Sequence, residues 1–395
     1  MLVDQDIIII GAGLSGSTIA ACFAKETTKT VAVIEKREHI GGNCYDYRNE
    51  FGHLECKYGA HIFHTQKKHV WDFIHQYCDW IPYRHKVYSN VHSTLVPIPI
   101  NITTIRRLFP NDEIQTGDEM KTWIASQPRN LLSSSTTTSS HRNGRDVIVS
   151  QCGDLLYEWM FKHYTKKQWD LYPEELDPSV LRRIPIRYSE EEGYFNDPYE
   201  ALPKHGYTHF IQSMLDHPQI TVFLNTDWKT IRRQINVRND QIVIYTGPID
   251  HYFEELHLPP LEYRSLRFER LLFPEKEKGD YYQSNSVVNY PEPDVSFTRI
   301  VEPKHFYKDE NKDTVGTVIV REYSTSEGEP YYPILNPRNL ELYSRYHEEA
   351  IKLEKTQGNI YFIGRLANFK YVNMDEAIEN ALTFFYETFP TLLLT

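Results

Sequence analysis

The stretch Ile7 to Tyr45, IIIIGAGLSGSTIAACFAKETTKTVAVIEKREHIGGNCY, decides the fold. Four isoleucines read as a short buried strand, and Gly11, Gly13 and Gly16 follow it at G-x-G-x-x-G spacing. Apolar residues at helical intervals (Ile19, Ala20, Phe23) come next, then a second strand from Thr30 to Ile34 that ends at Glu35. Each part has a physical role in holding a dinucleotide. Gly11 permits the tight turn, Gly13 lets a pyrophosphate approach the backbone, and Gly16 lets the helix sit close to the strand. The helix N-terminus offers unpaired N–H groups and a positive dipole end to the phosphates. Glu35 stands about 20 residues beyond the last glycine, where an acid accepts hydrogen bonds from a ribose. Gly41 and Gly42 add a second close-approach turn. That favours FAD over a nicotinamide nucleotide, because the longer flavin nucleotide touches more backbone beyond the first βαβ unit.

At 395 residues the chain is too long for one simple core, and two or three domains are expected. A formal net charge of −11 argues against general affinity for nucleic acid, so an anionic substrate needs local basic residues acting against the overall field. The five cysteines, Cys22, Cys44, Cys56, Cys78 and Cys152, are odd in number, widely spaced and free of any C-x-x-C pair. Buried thiols in a reducing compartment are the plain reading. The N-terminus runs within a few residues into the first strand, which leaves no room for a signal peptide. No apolar run approaches the roughly 20 residues needed to span a bilayer. A cytoplasmic protein without membrane insertion is expected.

Helical periodicity marks Val70 to Cys78, Asp118 to Ser126, Val147 to Tyr164 and Asn339 to Glu354. Pro82, Pro97 and Pro99 punctuate an extended region of strands or hairpin. The low-complexity run Ser133 to Ser140 reads as a mobile surface loop. Thr221 to Trp228 and Gln241 to Asp250 read as strands. Alternation over Tyr263–Phe268, Ser286–Tyr290, Ser296–Val301 and Thr314–Tyr323 suggests an antiparallel sheet. NIYFIGR then gives a strand closed by a glycine, and MDEAIENALTFFYETF a helix. A strand–Gly–Arg–helix unit thus recurs at the C-terminus. The fold class expected is α/β: a discontinuous Rossmann-like FAD domain (1–75, 208–250 and 358–395) with two insertions. These are a mainly helical substrate domain (76–180) and an antiparallel sheet domain with a mobile loop (181–207 with 251–357).

The segments EKREHIGGNCY, YGAHIFHT, YTKKQW, RRIPIR, GYFND, IYTGPIDHYF, FTRIVEPKHF, REYS, YYP and GRLANFKYVNMDEAI together resemble the UDP-galactopyranose mutase family, in family order. The resemblance implies an isomerase in which N5 of reduced FAD attacks the anomeric carbon of a nucleotide sugar, UDP leaves, and the sugar ring recloses through a different hydroxyl. There is no net redox change, but the flavin must first be reduced, with NAD(P)H as the implied donor. A homodimer is expected.

Residue by residue, the resemblance implies that Gly11, Gly13, Gly16, Glu35, Lys36, Gly42, Asn43, His61, Arg365 and Met374 hold the cofactor. The helix starting near Met374 then stabilises the reduced flavin anion with its dipole. Arg183 matches the family's mobile-loop arginine and Arg299 its second essential arginine. Guanidinium groups suit a diphosphate because the planar fork makes paired, charge-assisted bonds. Tyr194, Tyr332 and Tyr371 match tyrosines that reach the phosphates. Tyr164 and Trp169, with Phe161 one turn earlier, fall where the family holds uridine. His64, the second histidine of HIFHT, is placed near N5. No carboxylate or third histidine joins His61 and His64 at ligand spacing, so no metal is expected.

Two departures bear on substrate. KYVNMD puts Asn373 where the family has an acid, and His85 stands where it has an asparagine. Either neutral drift or a related sugar, such as dTDP-fucose or UDP-N-acetylgalactosamine, accounts for them. The basic trio Arg84, His85 and Lys86 either contacts a phosphate or is solvated. The rival in another class is an FAD oxidase or desaturase of the amine-oxidase kind, which shares the G-x-G-x-x-G and Gly-Gly elements.

Overall fold

The computed structural model describes residues 4–130, 143–182, 185–232, 238 and 240–393. Arg183 and the serine/threonine run 133–140 lie outside the described residues.

Ile7–Ile10 is a strand with every residue buried, because both faces of its sheet are covered. It lies at the centre of five parallel strands in the order Ile220–Phe223, Val31–Ile34, Ile7–Ile10, Ile242–Tyr245, Ile360–Phe362. Alternation sorts the side chains between two cores. Ile7 and Ile9 pack with helices Leu14–Glu26, Tyr207–Leu215 and Met374–Thr388, where Phe23 meets Phe385 edge-on at 5.0 Å. Ile8 and Ile10 pack with the helix Pro337–Gln357 through Leu342 and Tyr346. Chain segments from both ends and the middle therefore build one doubly wound domain. The expected strand Thr221–Trp228 stops at Phe223; Asp227 then accepts from the Lys229 N–H at 2.9 Å and caps a short helix.

The second sheet has seven strands, in the order Tyr332–Pro333, Tyr263–Phe273, Thr317–Thr325, Arg299–Val301, Val287–Asn289, Val87–Val91, Thr94–Ile98. All pairs are antiparallel except Val287–Asn289 with Val87–Val91. Although the segment 76–180 reads as mainly helical in the sequence, residues 87–98 form the hairpin expected in the extended region around Pro82, Pro97 and Pro99, and it pairs onto the edge of this sheet. Its two-residue turn is His92–Ser93, both with left-handed backbone (φ 48° and 64°), so the usual Asn-Gly signal is absent. Pro97 fits because the strand is an edge.

From Ile102 to Trp169 the described chain is helical, and its apolar face shares one core with the seven-stranded sheet. The continuous helix expected over Val147–Tyr164 is broken at Gly153 (φ 83°, ψ 170°) and widens to a π-helix over Tyr157–Lys162. A third sheet, Phe63–Thr65, Tyr199–Pro203 and Trp80–Pro82, has Tyr199–Pro203 in the middle.

Lys167, in the helix His163–Trp169, ties that helix to the loop before Arg299. Its ammonium donates to the carbonyls of Tyr290, Glu292 (2.9 Å), Val295 (2.9 Å) and Phe297 (3.1 Å). Lys167→Met leaves these carbonyls short of donors and is expected to cost about 3 kcal/mol of stability, measured by urea unfolding.

Candidate active site

The ends of the five parallel strands and the turns after them line one cavity of about 450 Å³. Its floor is glycine backbone. Gly11 has φ +107°, and a Cβ there would lie 2.2 Å from Thr246 Oγ1. A Cβ on Gly16 would lie 2.0 Å from the Gly11 carbonyl oxygen, so only glycine lets the helix sit there. One on Gly42 (φ +55°) would come within 3.0 Å of the Gly13 Cα, so the two glycine turns face each other across a side-chain-free groove. The helix that starts at Leu14 has no acid in its first turn to neutralise its positive end. This cradle fits a dinucleotide.

The remaining cofactor candidates, Glu35, Lys36, Asn43, His61, Arg365 and Met374, line the same cavity. Glu35 is buried and ties two turns, accepting from the N–H groups of Ala12 and Arg37, each at 2.9 Å. Its carboxylate keeps lone pairs for a ligand hydroxyl. Lys36 Nζ lies 2.6 Å from Glu329, which brings the 326–330 loop over the rim. Thr226–Lys229 and Glu329 also line the cavity and went unread in the sequence. Thr226–Lys229 follow from topology, since ligands sit at the carboxyl ends of parallel strands, whereas Glu329 arrives on a loop between two strands of the second sheet.

Beyond His61 and Arg365 lies a second constellation. Arg299 stands opposite Glu322 in the strand register, and its Nε donates to Glu322 Oε2 at 2.6 Å. Glu322 is 2 % exposed at its side chain and Arg299 is 28 % exposed, so the carboxylate is sealed and the guanidinium is not. Burial works against the Arg299 charge, but Glu322, Tyr164 and Tyr332 together hold its pKa above the ordinary value. Tyr332 stacks on Tyr371 (centroids 5.5 Å apart, 22° between planes), and the Arg365 guanidinium lies 5.8 and 5.4 Å from those two rings. Arg365 is anchored by donating to the Val372 carbonyl at 2.6 Å. Burial, with Tyr371 beside it, pushes the Tyr332 hydroxyl up to about 12, so it stays a neutral donor. Burial raises Tyr164 likewise, against the pull of Arg299. Trp169 closes this side, 6.2 Å from Tyr332. Tyr194 meets His85 and Phe195 edge-on at 5.7 and 5.0 Å.

The histidines differ in environment. Burial pushes His61 down to about 4, and its Nδ1 sits 2.8 Å from the Gly59 carbonyl. Burial, with Arg299 and His64 nearby, pushes His85 down to about 3. His64 pairs through Nδ1 with Asp197. Arg84 pairs with Glu191 and with the buried Glu200, whose carboxylate also accepts from the His85 N–H, and Lys86 pairs with Glu192. Phe161 packs in the core between the helical layer and the sheet, 7 % exposed. Asn373 precedes the helix Met374–Thr388 in extended backbone, its N–H donating to Glu376 at 2.7 Å. Asp375, in the first turn, is buried with Oδ1 unpartnered. Glu322 and Asp197 lie within REYS and GYFND, but their roles need strand pairing to be seen. Among the described residues no group of three or more His, Cys, Asp and Glu side chains could hold a metal ion, and no helix is long and apolar enough to cross a membrane.

Comparison with known proteins places this geometry. The profile of the UDP-galactopyranose mutase family matches residues 159–371, and that of the NAD(P)-binding Rossmann-like domain residues 9–77. The chain is 36 % identical to the "Probable UDP-galactopyranose mutase" of Klebsiella pneumoniae, over 96 % of this chain and 93 % of the relative. It is 34 % identical to the dTDP-fucopyranose mutase of Escherichia coli, over 95 % of this chain and 96 % of that one. The crystal structure of a reduced UDP-galactopyranose mutase superposes with a TM-score of 0.75 at 16 % identity, covering 98 % of this chain and 96 % of the other. A CLA-producing fatty acid isomerase from P. acnes, at 12 % identity, reaches 0.54, so the fold by itself does not select the chemistry. The sequence relationships do, and by them the chain belongs to the UDP-galactopyranose mutase family.

Proposed function

We propose that the protein is a flavin-dependent mutase that interconverts the pyranose and furanose forms of a nucleotide sugar, UDP-galactose first. The observation that carries the reading is the Arg299–Glu322 pair with Tyr164, Tyr332 and Tyr371, joined to the dinucleotide cavity by Arg365, which lines the cavity and lies 5.8 and 5.4 Å from the Tyr332 and Tyr371 rings. An oxidase needs the cavity but has no use for a guanidinium set among tyrosines beyond it. FAD fits the glycine cradle and the wall formed by Glu35, and NAD(P)H is the proposed electron donor. When bound, reduced FAD supplies the nucleophile for the anomeric carbon.

The protein's own groups do the rest. Arg299 is held by Glu322 through Nε alone, and among the described residues Nη1 and Nη2 take no hydrogen-bond partner. That leaves the fork free for two oxygens of a leaving diphosphate. Arg183 is proposed to join it at the diphosphate. Tyr332 offers a neutral hydroxyl and Tyr371 a second hydroxyl to the phosphates, and Tyr164 with Trp169 gives the nucleobase an aromatic wall; Tyr194, His85 and Asn373 face the sugar. Phe161 backs that wall. A cytoplasmic homodimer is the proposed form. A dTDP-fucose mutase is the second reading, favoured by the 34 % identity to the Escherichia coli enzyme; UDP-N-acetylgalactosamine is a third sugar to be tried.

Dithionite-reduced protein, incubated with UDP-galactofuranose, dTDP-fucofuranose and the N-acetylgalactosamine analogue, is expected to convert UDP-galactofuranose to its pyranose form, read by chromatography. Faster conversion of another sugar would reassign the substrate. No conversion of any, with oxygen consumed on an amine, would refute the mutase reading. Arg299→Ala should lower kcat by about 10²–10³ while the yellow flavin stays bound. Gly16→Ala has the opposite signature: the added methyl collides with the Gly11 carbonyl, and the purified variant should be colourless.

A further inference from the structure

Strand Phe63–Thr65 alternates. Phe63 and Thr65 are buried at 1 % and 0 % exposure, Phe63 in the core beneath the cofactor sheet, so His64 points the other way. There the ring is fixed twice. Nδ1 pairs with the Asp197 carboxylate, and the ring lies flat on Phe195, with centroids 3.6 Å apart and 15° between planes. Asp197 and Phe195 come from the segment leading into strand Tyr199–Pro203, which pairs with Phe63–Thr65 and sets His64 opposite Glu200. Nε2 has no hydrogen-bond partner among the described residues, and the side chain remains 13 % exposed. The titratable groups facing His64 are Asp197, Glu200 and His85. Glu200 is engaged with the His85 N–H and with Arg84, and His85 is kept neutral by burial. Asp197 is thus the carboxylate that acts on His64.

We propose that Asp197 is a positioning residue that makes His64 the proton carrier for opening and closing the sugar ring, an inference that rests on the mutase reading. Changing a pyranose into a furanose moves one proton between two sugar oxygens. Opening breaks C1–O5; the electron pair stays on O5, which takes the Nε2 proton of the doubly protonated ring. Closure forms C1–O4 from an O4 lone pair, and the O4 proton returns to Nε2. No proton is gained or lost over the cycle, and no electron passes through the His64–Asp197 pair. Asp197 keeps the proton on Nδ1 throughout, so that Nε2 alone exchanges. Phe195 keeps the ring in one plane while it does so.

The test compares wild-type protein with Asp197→Asn, both flavin-loaded and reduced, on UDP-galactofuranose. The expected result is a kcat lower by about 100-fold or more, with KM changed by less than about 3-fold. A second measurement needs no turnover. In ¹⁵N-histidine NMR of the neutral ring, the His64 signals, identified by their loss in His64→Gln, should show the proton on Nδ1 in the wild type and on Nε2 in Asp197→Asn. Asp197→Glu, which keeps the charge, should keep the wild-type pattern. Wild-type kcat in Asp197→Asn, or a wild-type ring without its proton on Nδ1, would overturn the assignment. The second criterion stands even if Asp197→Asn does not fold. Absence of ring interconversion by the wild type would instead overturn the mutase reading.

Discussion

The carbonyl of Gly11 leaves no room for a side chain on Gly16, and the rest of the site depends on that contact. Because the helix can settle onto the first strand, its N-terminus points along the sheet edge, and the Gly13 backbone meets the Gly42 backbone. Because all five strands are parallel, every connecting turn after a strand opens on that same edge. Glu35, Thr226, Thr246 and Arg365 are far apart in the chain, and each follows the end of a different strand. The cavity is therefore a consequence of sheet polarity, and the chain had to return to the sheet at its C-terminus to complete it.

The second sheet contributes differently. Its strands are antiparallel around Arg299, and pairing puts Glu322 directly across from it. A buried carboxylate bonded to Nε fixes the guanidinium plane and leaves the outer fork open. Removing Glu322 would release the plane, and removing Arg299 would strand a buried carboxylate whose Oε1 already lacks a partner. Lys167 works on the loop that enters the same strand. Its grip on the carbonyls before Arg299 ties the helix carrying Tyr164 and Trp169 to the strand carrying the guanidinium.

What the sequence made legible follows from how local each signal is. Gly11, Gly13, Gly16 and Glu35 form one contiguous βαβ unit, so spacing alone identifies them. The prolines made an extended region or hairpin at 87–98 legible, but its turn was not, because a His-Ser pair takes left-handed positions normally marked by Asn or Gly. Thr226–Lys229 and Glu329 carry no motif; they reach the cavity through parallel pairing and a distant loop. The role of Lys167 is invisible for a sharper reason. Its partners are backbone carbonyls, which every residue has, so no side-chain pattern records them. Phe161 shows the converse limit: an aromatic residue one turn from a binding face can equally be core, and here it packs in the core.

The placement of charge explains how an acidic protein can receive a diphosphate. With a formal net charge of −11, the long-range field repels such a ligand, so attraction must be short-range. Around Arg299 the other titratable groups are silenced. Burial keeps His61 and His85 down at about 4 and 3, and raises the Tyr164 and Tyr332 hydroxyls. Arg84 and Lys86 are spent on Glu191, Glu200 and Glu192. Neutral imidazoles and phenols can donate or accept without competing for the anion, so the fixed positive charges are Arg299 and Arg365, and His64 is proposed to gain and lose one. In the proposed reading, a neutral His85 leaves the diphosphate to the arginines.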